Sequence, residues 1–408
     1  MLPEAIVAAA EEFHAKADIA PPAVRGPVVE VAHQPLFMPF PGFFGKAAMG
    51  CWLAEKRGGT CVFGFVDDDF ALFPGMWSTR LPARNKAGYR RVGADVKAER
   101  RAFFALPKPS RDEVGKLAEE TGAGDALLQS WEAADSLSGM NAVFAAKACG
   151  MLGIAPLFFE YSKLPRDAME KQARFFAERQ AEFVSAFNAS VRKRKIAGMK
   201  PMAADELPLW AVGKDGTKKA LHVGETAAHY SFKAVGRNIA FADFLGSECY
   251  VSGKGAMSEY GAVGHDVSLA LGCAEPETFV WLNTDEYREA AAADAALEGE
   301  VSALRLRLGA AKKREAAAVA EKDATGRKRA WEEKKAAERA LQKKQNGLFA
   351  LKSKAEQAQT EYAITDLFSF ASPAQVKRNW FAALESAKPE RNELFTEFRT
   401  ATRHGGRV

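Results

Sequence analysis

Apolar runs bounded by turn-forming residues divide the first part of this chain into short strands and helices. Residues 27–32 form an apolar run that predicts a short buried strand, and residues 61–66 predict a second one. Between them, residues 43–56 have helical composition and end at a Gly-Gly pair. This order predicts one right-handed crossover, so both strands should end at the same edge of a parallel sheet.

The same alternation continues along the chain to residue 284. Further strands are predicted at 151–159 and 249–251, helices at 3–17, 110–150 and 166–195, and a β-hairpin at 207–212 and 219–223. We therefore predict an α/β fold with a Rossmann-like parallel sheet core over 1–284. Helical and hairpin insertions occupy about 106–230 of that core.

From residue 285 to 362 the composition shifts to Ala, Glu, Lys and Arg without proline. Apolar residues recur there mostly at steps of three and four, which predicts a C-terminal α-helical coiled-coil arm. The turn residues at 323–326 favour an antiparallel helix hairpin; the alternative is one long helix that dimerises. We expect a homodimer through this arm, and we expect residues 363–408 to return to the core as a helical segment.

Composition and charge narrow the function classes. The 408 residues include 48% hydrophobic ones, and 57 basic against 52 acidic residues leave a net charge of +5. Such a mild charge permits an anionic ligand but gives no reason to expect nucleic acid. The five cysteines have no metal-ligand spacing. Acidic residues near the start and the lack of a long apolar run predict a cytoplasmic protein without a membrane segment.

Polar residues follow the first two predicted strands. His33 and Gln34 end the first, and Asp67, Asp68 and Asp69 follow the second. Open α/β sheets bind ligands at this edge, so we expect His33 to donate a hydrogen bond to a phosphate or carboxylate; the alternative is a satisfied core histidine. If the second strand persists, Asp67 and Asp69 share a face that suits an ammonium group, a ribose or hydrated Mg²⁺.

Two lysines lie in contrasting contexts. Lys254 stands between Gly253 and Gly255 just after a predicted strand, where backbone amides and an ammonium group can meet a phosphate or carboxylate. A plain tight turn explains this segment equally well. Lys46 lies on the predicted helix at 43–56, and we expect it to be an exposed helix residue.

These segments together resemble the bacillithiol-synthesis cysteine ligase family. The resemblance rests on Ala32-His33-Gln34 with its following loop and helix, on the strand that ends in Asp67-Asp68-Asp69-Phe70, and on the strand-Gly-x-Gly segment that runs to Tyr260. This chain has Ala32 where the family has glycine, Asp68 where it has histidine, and Gly253-Lys254-Gly255-Ala256 where it has Gly-Pro-Gly-Glu. The family implies a Rossmann-like core related to class I aminoacyl-tRNA synthetases and other nucleotidyltransferases.

The resemblance also implies site residues and a reaction. Catalytic roles fall to His33 and Gln34, and substrate or nucleotide binding falls to Asp67, Asp69, Arg237, Gly253, Gly255, Glu259 and Tyr260. Lys254, at a position where the family has proline, is a further catalytic candidate because it would parallel the second signature lysine of class I synthetases. The implied activity is a ligase that adds cysteine or another amino acid to a small amine such as an amino-sugar glycoside, with ATP and Mg²⁺ as candidate cofactors. The alternative is a non-catalytic relative that binds a nucleotide or assembles through its arm. Catalysis predicts that His33 and Lys254 share one cleft, within roughly 10 Å of each other.

Overall fold

The computed structural model of the protein describes residues 2–82, 89–96, 100–196, 199–253, 260–321, 323–358, 363–368, 371–386, 390–391 and 396–404. Its strands are β1 (Val28–His33), β2 (Thr60–Phe65), β3 (Ser78–Pro82), β4 (Tyr89–Gly93), β5 (Leu157–Glu160), β6 (Glu206–Val212), β7 (Lys218–His222), β8 (His229–Phe232), β9 (Ser247–Gly253), β10 (Glu277–Tyr287), β11 (Glu390–Arg391) and β12 (Thr396–His404).

The helices flank the main sheet or form the arm. They are α1 (Glu4–Ala17), α2 (Pro41–Arg57), α3 (Arg111–Thr121), α4 (Asp125–Ala133), α5 (Leu137–Met151), α6 (Arg166–Glu178), α7 (Gln180–Arg194), α8 (Ala234–Leu245), α9 (Ala262–Leu271), α10 (Arg288–Ala320), α11 (Ala324–Ala358), α12 (Ile364–Phe368) and α13 (Pro373–Ser386). Within the described part of the chain, no helix combines the length and apolar character needed to cross a membrane.

The main sheet has the strand order β11-β12-β10-β9-β1-β2-β5. The five neighbouring strands from β10 to β5 run parallel, which confirms the predicted Rossmann-like α/β core. The chain first moves outward from β1 to β2 and β5, and then returns to place β9 on the other side of β1. The strand order therefore reverses between β1 and β9, and their carboxyl ends form the topological switch point of the sheet.

Apolar side chains fill both faces of this sheet. Successive residues of β1 alternate between them: Val29 and Val31 pack in one apolar cluster with α2, α5 and α13, while Val28 packs in the other with α6 to α9. Burial on both faces explains why the central strands have continuous apolar runs. The two-sided core fixes the sheet edge on which the polar residues meet. All five cysteines are free thiols.

Several predicted boundaries were wrong. The segment 110–150 contains three helices, and α5 runs on to Met151, so β5 begins only at Leu157. The predicted helix at 166–195 breaks at Arg179, where the chain turns so that Phe176 and Phe183 pack edge to face at 5.5 Å. The segment after 363 returns to the core as expected, but it ends in strand β12, which pairs with β10, and not in a helix.

The arm is a pair of helices, α10 and α11, that pack against each other. Lys334 and Glu315 form an ion pair at 2.9 Å, and Lys344 pairs with Glu300, so the helices run antiparallel as predicted. The less exposed positions of α10 recur at steps of four and three, at residues 297, 301, 304, 308, 311, 315 and 318. The expected homodimer through this arm stays a prediction.

Candidate functional site

The switch point brings together the ends of two strands from distant parts of the sequence. His33 is the last residue of β1 and Gly253 is the last residue of β9. The two strands are hydrogen-bonded neighbours, with Val31 opposite Val251. We call the space at these two strand ends the crevice. It is the place at which open α/β sheets bind their ligands.

His33 is held in one neutral form. Its ring packs edge to face on Phe43 of α2 at 4.9 Å between ring centroids. Nδ1 lies 2.9 Å from the backbone oxygen of Gln34; because a carbonyl oxygen only accepts, Nδ1 carries the proton and donates. Burial lowers the pKa of His33 well below its ordinary value, and the nearby charges of Lys46 and Arg237 lower it further. The imidazole is therefore neutral, with the lone pair on Nε2.

This form of His33 changes its predicted role. We expected His33 to donate a hydrogen bond to an anion, which requires a proton on Nε2. With Nδ1 committed as the donor, Nε2 is an acceptor, and it has no partner among the described residues. A neutral imidazole with one oriented lone pair suits a general base.

Lys46 is the second defining group of the crevice, and the prediction that it is exposed was wrong. Its relative exposure is only 7%, because α2 lies against the sheet and buries most of its first three turns. A Cβ atom placed on Gly253 would lie 3.9 Å from Lys46 Nζ, so the amine reaches the end of β9. No described residue forms an ion pair or hydrogen bond with it. Burial accordingly lowers the pKa of Lys46 to about 7.

A polar network supports the crevice from the side of β2. Gln34 Nε2 donates to Asp69 Oδ2 at 2.8 Å, and Arg237 NH1 of α8 approaches the same oxygen at 3.4 Å. Burial alone would raise the pKa of Asp69, but Arg237 and Lys218 and the hydrogen bonds outweigh burial and lower it. Arg237 Nε is buried and has no partner among the described residues. These hydrogen bonds hold the Gln34 side chain in place. Because His33 precedes Gln34 directly in the chain, they also restrain the position of His33.

Asp67 and Asp69 do not share a face, because β2 ends at Phe65 and residues 67–69 form a turn. Asp67 points toward β5, where Ser162 N donates to its Oδ1 at 2.9 Å. Burial raises the pKa of Asp67 well above its ordinary value, and the charges of Glu160 and Asp68 add to this. The hydrogen-bonded Asp67 carboxyl ties the ends of β2 and β5 together and does not face the crevice.

Lys218 is a second buried lysine that the sequence analysis did not single out. It lies on the hairpin strand β7 and donates to the backbone oxygen of Asp68 at 2.5 Å and to Ser231 Oγ at 2.8 Å. Its ammonium group also stacks over the Phe70 ring at 4.6 Å. Lys218 therefore anchors the hairpin to the turn after β2.

The structure thus brings five of the predicted residues to one edge: His33, Gln34, Asp69, Arg237 and Gly253. Tyr260 is partly buried and packs against the apolar cluster that contains α8 and α9. The remaining predicted residues, Lys254, Gly255 and Glu259, lie outside the described residues, and so does the predicted approach of Lys254 to His33.

One sequence signal pointed to Lys46. Its neighbours within a turn on both sides, Phe43-Phe44-Gly45 and Ala47-Ala48-Met49-Gly50, are apolar or small, which is the composition of a helix buried on all sides. No such signal marks Lys218, because alternation along β7 does not say which strand face meets the turn after β2.

No group of three or more His, Cys, Asp and Glu side chains within the described ranges is placed to hold a metal ion. Comparisons with known proteins give no family: no protein-family model matches the chain, and no curated protein is significantly similar to it. The function must therefore be argued from the crevice.

Proposed function

We propose that this protein is a carbon–nitrogen ligase that joins an activated amino acid to a small amine at the crevice. One observation carries the proposal: the buried amine of Lys46 has no anionic partner in the described chain and lies at the strand end where His33 presents a free lone pair. An unpaired lysine in such a place lacks a structural reason. An anionic substrate supplies the missing partner.

Lys46 fits a phosphate or carboxylate group of that substrate. The amine lies beside Gly253, where the absence of a side chain lets a ligand approach closely. A bound anion restores the charged state of an amine whose pKa is about 7. Lys46 takes the role that the sequence analysis gave to Lys254, and Arg237 adds positive potential to the same edge.

His33 suits the bond-forming step. We infer that the amine nitrogen attacks the carbonyl carbon of an aminoacyl phosphoric anhydride, such as an adenylate. The new C–N bond forms, the C–O bond to phosphate breaks, and its electron pair leaves with the phosphate. The amine proton passes to His33 Nε2. Because the His33 pKa is low, the protonated ring then readily returns its proton to water or to the departing phosphate.

The amino acid and the nucleotide are proposed on different grounds. Cysteine and an amino-sugar acceptor come from the family resemblance alone. ATP is proposed as the co-substrate that activates the carboxyl group, because Lys46 and Gly253 suit a phosphate. Its Mg²⁺ would be bound by the nucleotide's own oxygens together with one or two carboxylates, the usual arrangement for this ion.

The experiment is incubation with Mg-ATP, cysteine and a panel of glucosamine conjugates, with mass spectrometry of the products. We expect a condensed product and the matching loss of ATP. His33→Ala and Lys46→Met should remove both, while Lys56→Met, an exposed lysine on the same helix, should retain both. Absence of both the condensed product and ATP consumption would contradict the proposal and favour the non-catalytic alternative.

A further inference from the structure

A cavity of about 500 Å³ lies at the ends of β2 and β5, beside the crevice. Asp67, Glu160 and Ser162 line it from the strand ends, and Ser136 lines it from the start of α5. His229 and the turn between β6 and β7 complete the wall. A space of this size accepts a small polar molecule.

Glu160 gives this cavity a specific chemical character. It is the last residue of β5 and is only 3% exposed. Lys16 donates to its Oε2, but Oε1 has no partner among the described residues. Oε1 lies at the start of α5, where a Cβ atom on Gly139 would come within 3.5 Å of it. Oε1 therefore faces the cavity without a donor from the described chain, so a hydrogen-bond donor that enters the cavity can bind it.

None of the other described groups around the cavity donates a hydrogen bond to Glu160 Oε1. Burial lowers the pKa of His229, so its ring is neutral, and its Nε2 has no partner among the described residues. Lys163 lies 3.5 Å from Glu12 at the exposed rim. Asp67 is satisfied by Ser162. Lys16 is paired with Glu160, and Asp135 and Lys214 are exposed residues of the lining. Deeper in the cavity, a carboxylate oxygen and an imidazole nitrogen lack protein partners among the described residues, and these two atoms suit amine and hydroxyl groups.

The turn after β2 separates this cavity from the crevice. Asp67 lines the cavity, whereas Asp69, two residues later, holds Gln34 and Arg237 beside the crevice. Two trans peptides span at most about 7 Å between the Cα atoms of these residues. Two ligands on either side of the turn are therefore close enough to be parts of one site.

We infer that the cavity at Glu160 binds the amine substrate, while the crevice at Lys46 binds the anionic one. The assignment of the amine as a substrate rests on the proposed function. The binding of an amine-bearing polyol to the cavity rests on the unsatisfied Glu160 Oε1 alone. The cavity offers hydrogen-bond acceptors and so favours the amine. The crevice offers an unpaired cation and so favours the anion.

Tris is a suitable probe because it combines an ammonium group with three hydroxymethyl groups, and pentaerythritol is its neutral analogue with a fourth hydroxymethyl group. Binding is measured by ligand-observed NMR titration at pH 7. We expect Tris to bind more tightly than pentaerythritol. Glu160→Gln should weaken Tris binding about tenfold or more, as expected for loss of a charged hydrogen-bond acceptor.

Matched variants make this test specific. Glu206→Gln also removes a carboxylate that pairs with a lysine, Lys233, but it does not line the cavity, so Tris binding should be unchanged. Lys46→Met should also leave Tris binding unchanged. If Glu160→Gln fails to fold, Ser136→Ala, beside Glu160 Oε1 at the start of α5, should weaken Tris binding several-fold.

Two results would overturn the inference: equal binding of Tris to wild type and to the folded Glu160 or Ser136 variant, or loss of Tris binding in Lys46→Met. Pyrophosphate titration separates this inference from the proposed function. Tris binding without pyrophosphate binding would support the cavity as a binding site and contradict the proposed ligase function. Pyrophosphate binding without Tris binding contradicts only the cavity.

Discussion

Two buried lysines lie near the same sheet edge, and their surroundings differ. Lys218, 8% exposed, has a carbonyl oxygen, a hydroxyl and an aromatic ring around its ammonium group. Lys46, 7% exposed, has no such partner among the described residues. Burying a charge is costly unless it is paired. The burial of Lys218 is therefore explained by its contacts in the fold, whereas the burial of Lys46 is explained only by a ligand. Substituting the two lysines should therefore change the stability of the protein in opposite directions.

The largest effect is expected for Lys218→Met. The variant removes the shorter of two hydrogen bonds to the Asp68 carbonyl oxygen, the other being from Ser231 Oγ, and it removes the positive charge close to Asp68 and Asp69. We expect a loss of about 4 kcal/mol in the free energy of unfolding, as found when one partner of a buried polar pair is removed. Urea titration measures it. Lys219→Met, on the exposed face of the same strand, should change little, and equal stability of the two variants would contradict the assignment.

Lys46→Met should act in the opposite direction and raise the free energy of unfolding at pH 6 by several kcal/mol, because each unit by which burial lowers the pKa of Lys46 corresponds to about 1.4 kcal/mol. Below pH 7 the amine is charged in both states, so the folded chain bears the full cost of burying it. Between about pH 7 and the unfolded pKa of about 10.4 the folded chain loses its proton first, so wild-type stability rises with pH. The advantage of the variant should therefore disappear by about pH 10.

The control for this prediction is Lys56→Met, because Lys56 lies on the same helix but is half exposed and paired with Glu385. Its stability difference from wild type should show no trend between pH 6 and pH 10. A Lys46→Met variant that is less stable than wild type at pH 6 would mean that Lys46 has a structural partner.

His33→Ala should cost about 1 kcal/mol of stability, since it removes an edge-to-face contact with Phe43 and a local hydrogen bond. Turnover should nevertheless be lost, because the variant lacks the group that takes the amine proton in the proposed step. Parallel thermal melts and product assays measure the two effects. A loss of several kcal/mol would identify His33 as a core histidine instead.

The smallest effect is expected for Gln34→Ala. Loss of its hydrogen bond to Asp69 should cost about 0.5–1 kcal/mol and raise the pKa of Asp69 toward its ordinary value. NMR titration of the Asp69 carboxyl carbon would follow this change. An unaltered Asp69 titration would show that the charges of Arg237 and Lys218 lower the pKa of this carboxyl without help from Gln34.

The sequence predicted the sheet core better than the site. Strands β1 and β2 and the helix between them follow from apolar runs and turn residues, so the positions of His33 and Gln34 at a sheet edge could be predicted. Arg237 and Gly253, which complete this edge, come from α8 and β9, about 200 residues away in the sequence. The position of β9 beside β1 depends on tertiary packing, so the local sequence pattern could not predict it.

Local pattern also failed where tertiary contacts decide the charge state. The expected face shared by Asp67 and Asp69 assumed that β2 continues, but its pairing with β5 ends at Phe65 and frees the turn to bind Ser162 and Gln34 separately. Lys46 was expected in water because lysine usually is there. Its burial results from packing of α2 against the end of β9, beside Gly253.

The most direct test of the anion-binding crevice is the titration of Lys46 itself. NMR of protein carrying ¹³C-labelled lysine, with Lys46→Met used to assign the signal, follows its ε-carbon between pH 5 and 11. We predict a pKa of about 7 for the free protein and a clear upward shift when pyrophosphate is added. A pKa near the ordinary lysine value of about 10.4 that does not respond to pyrophosphate would contradict the account.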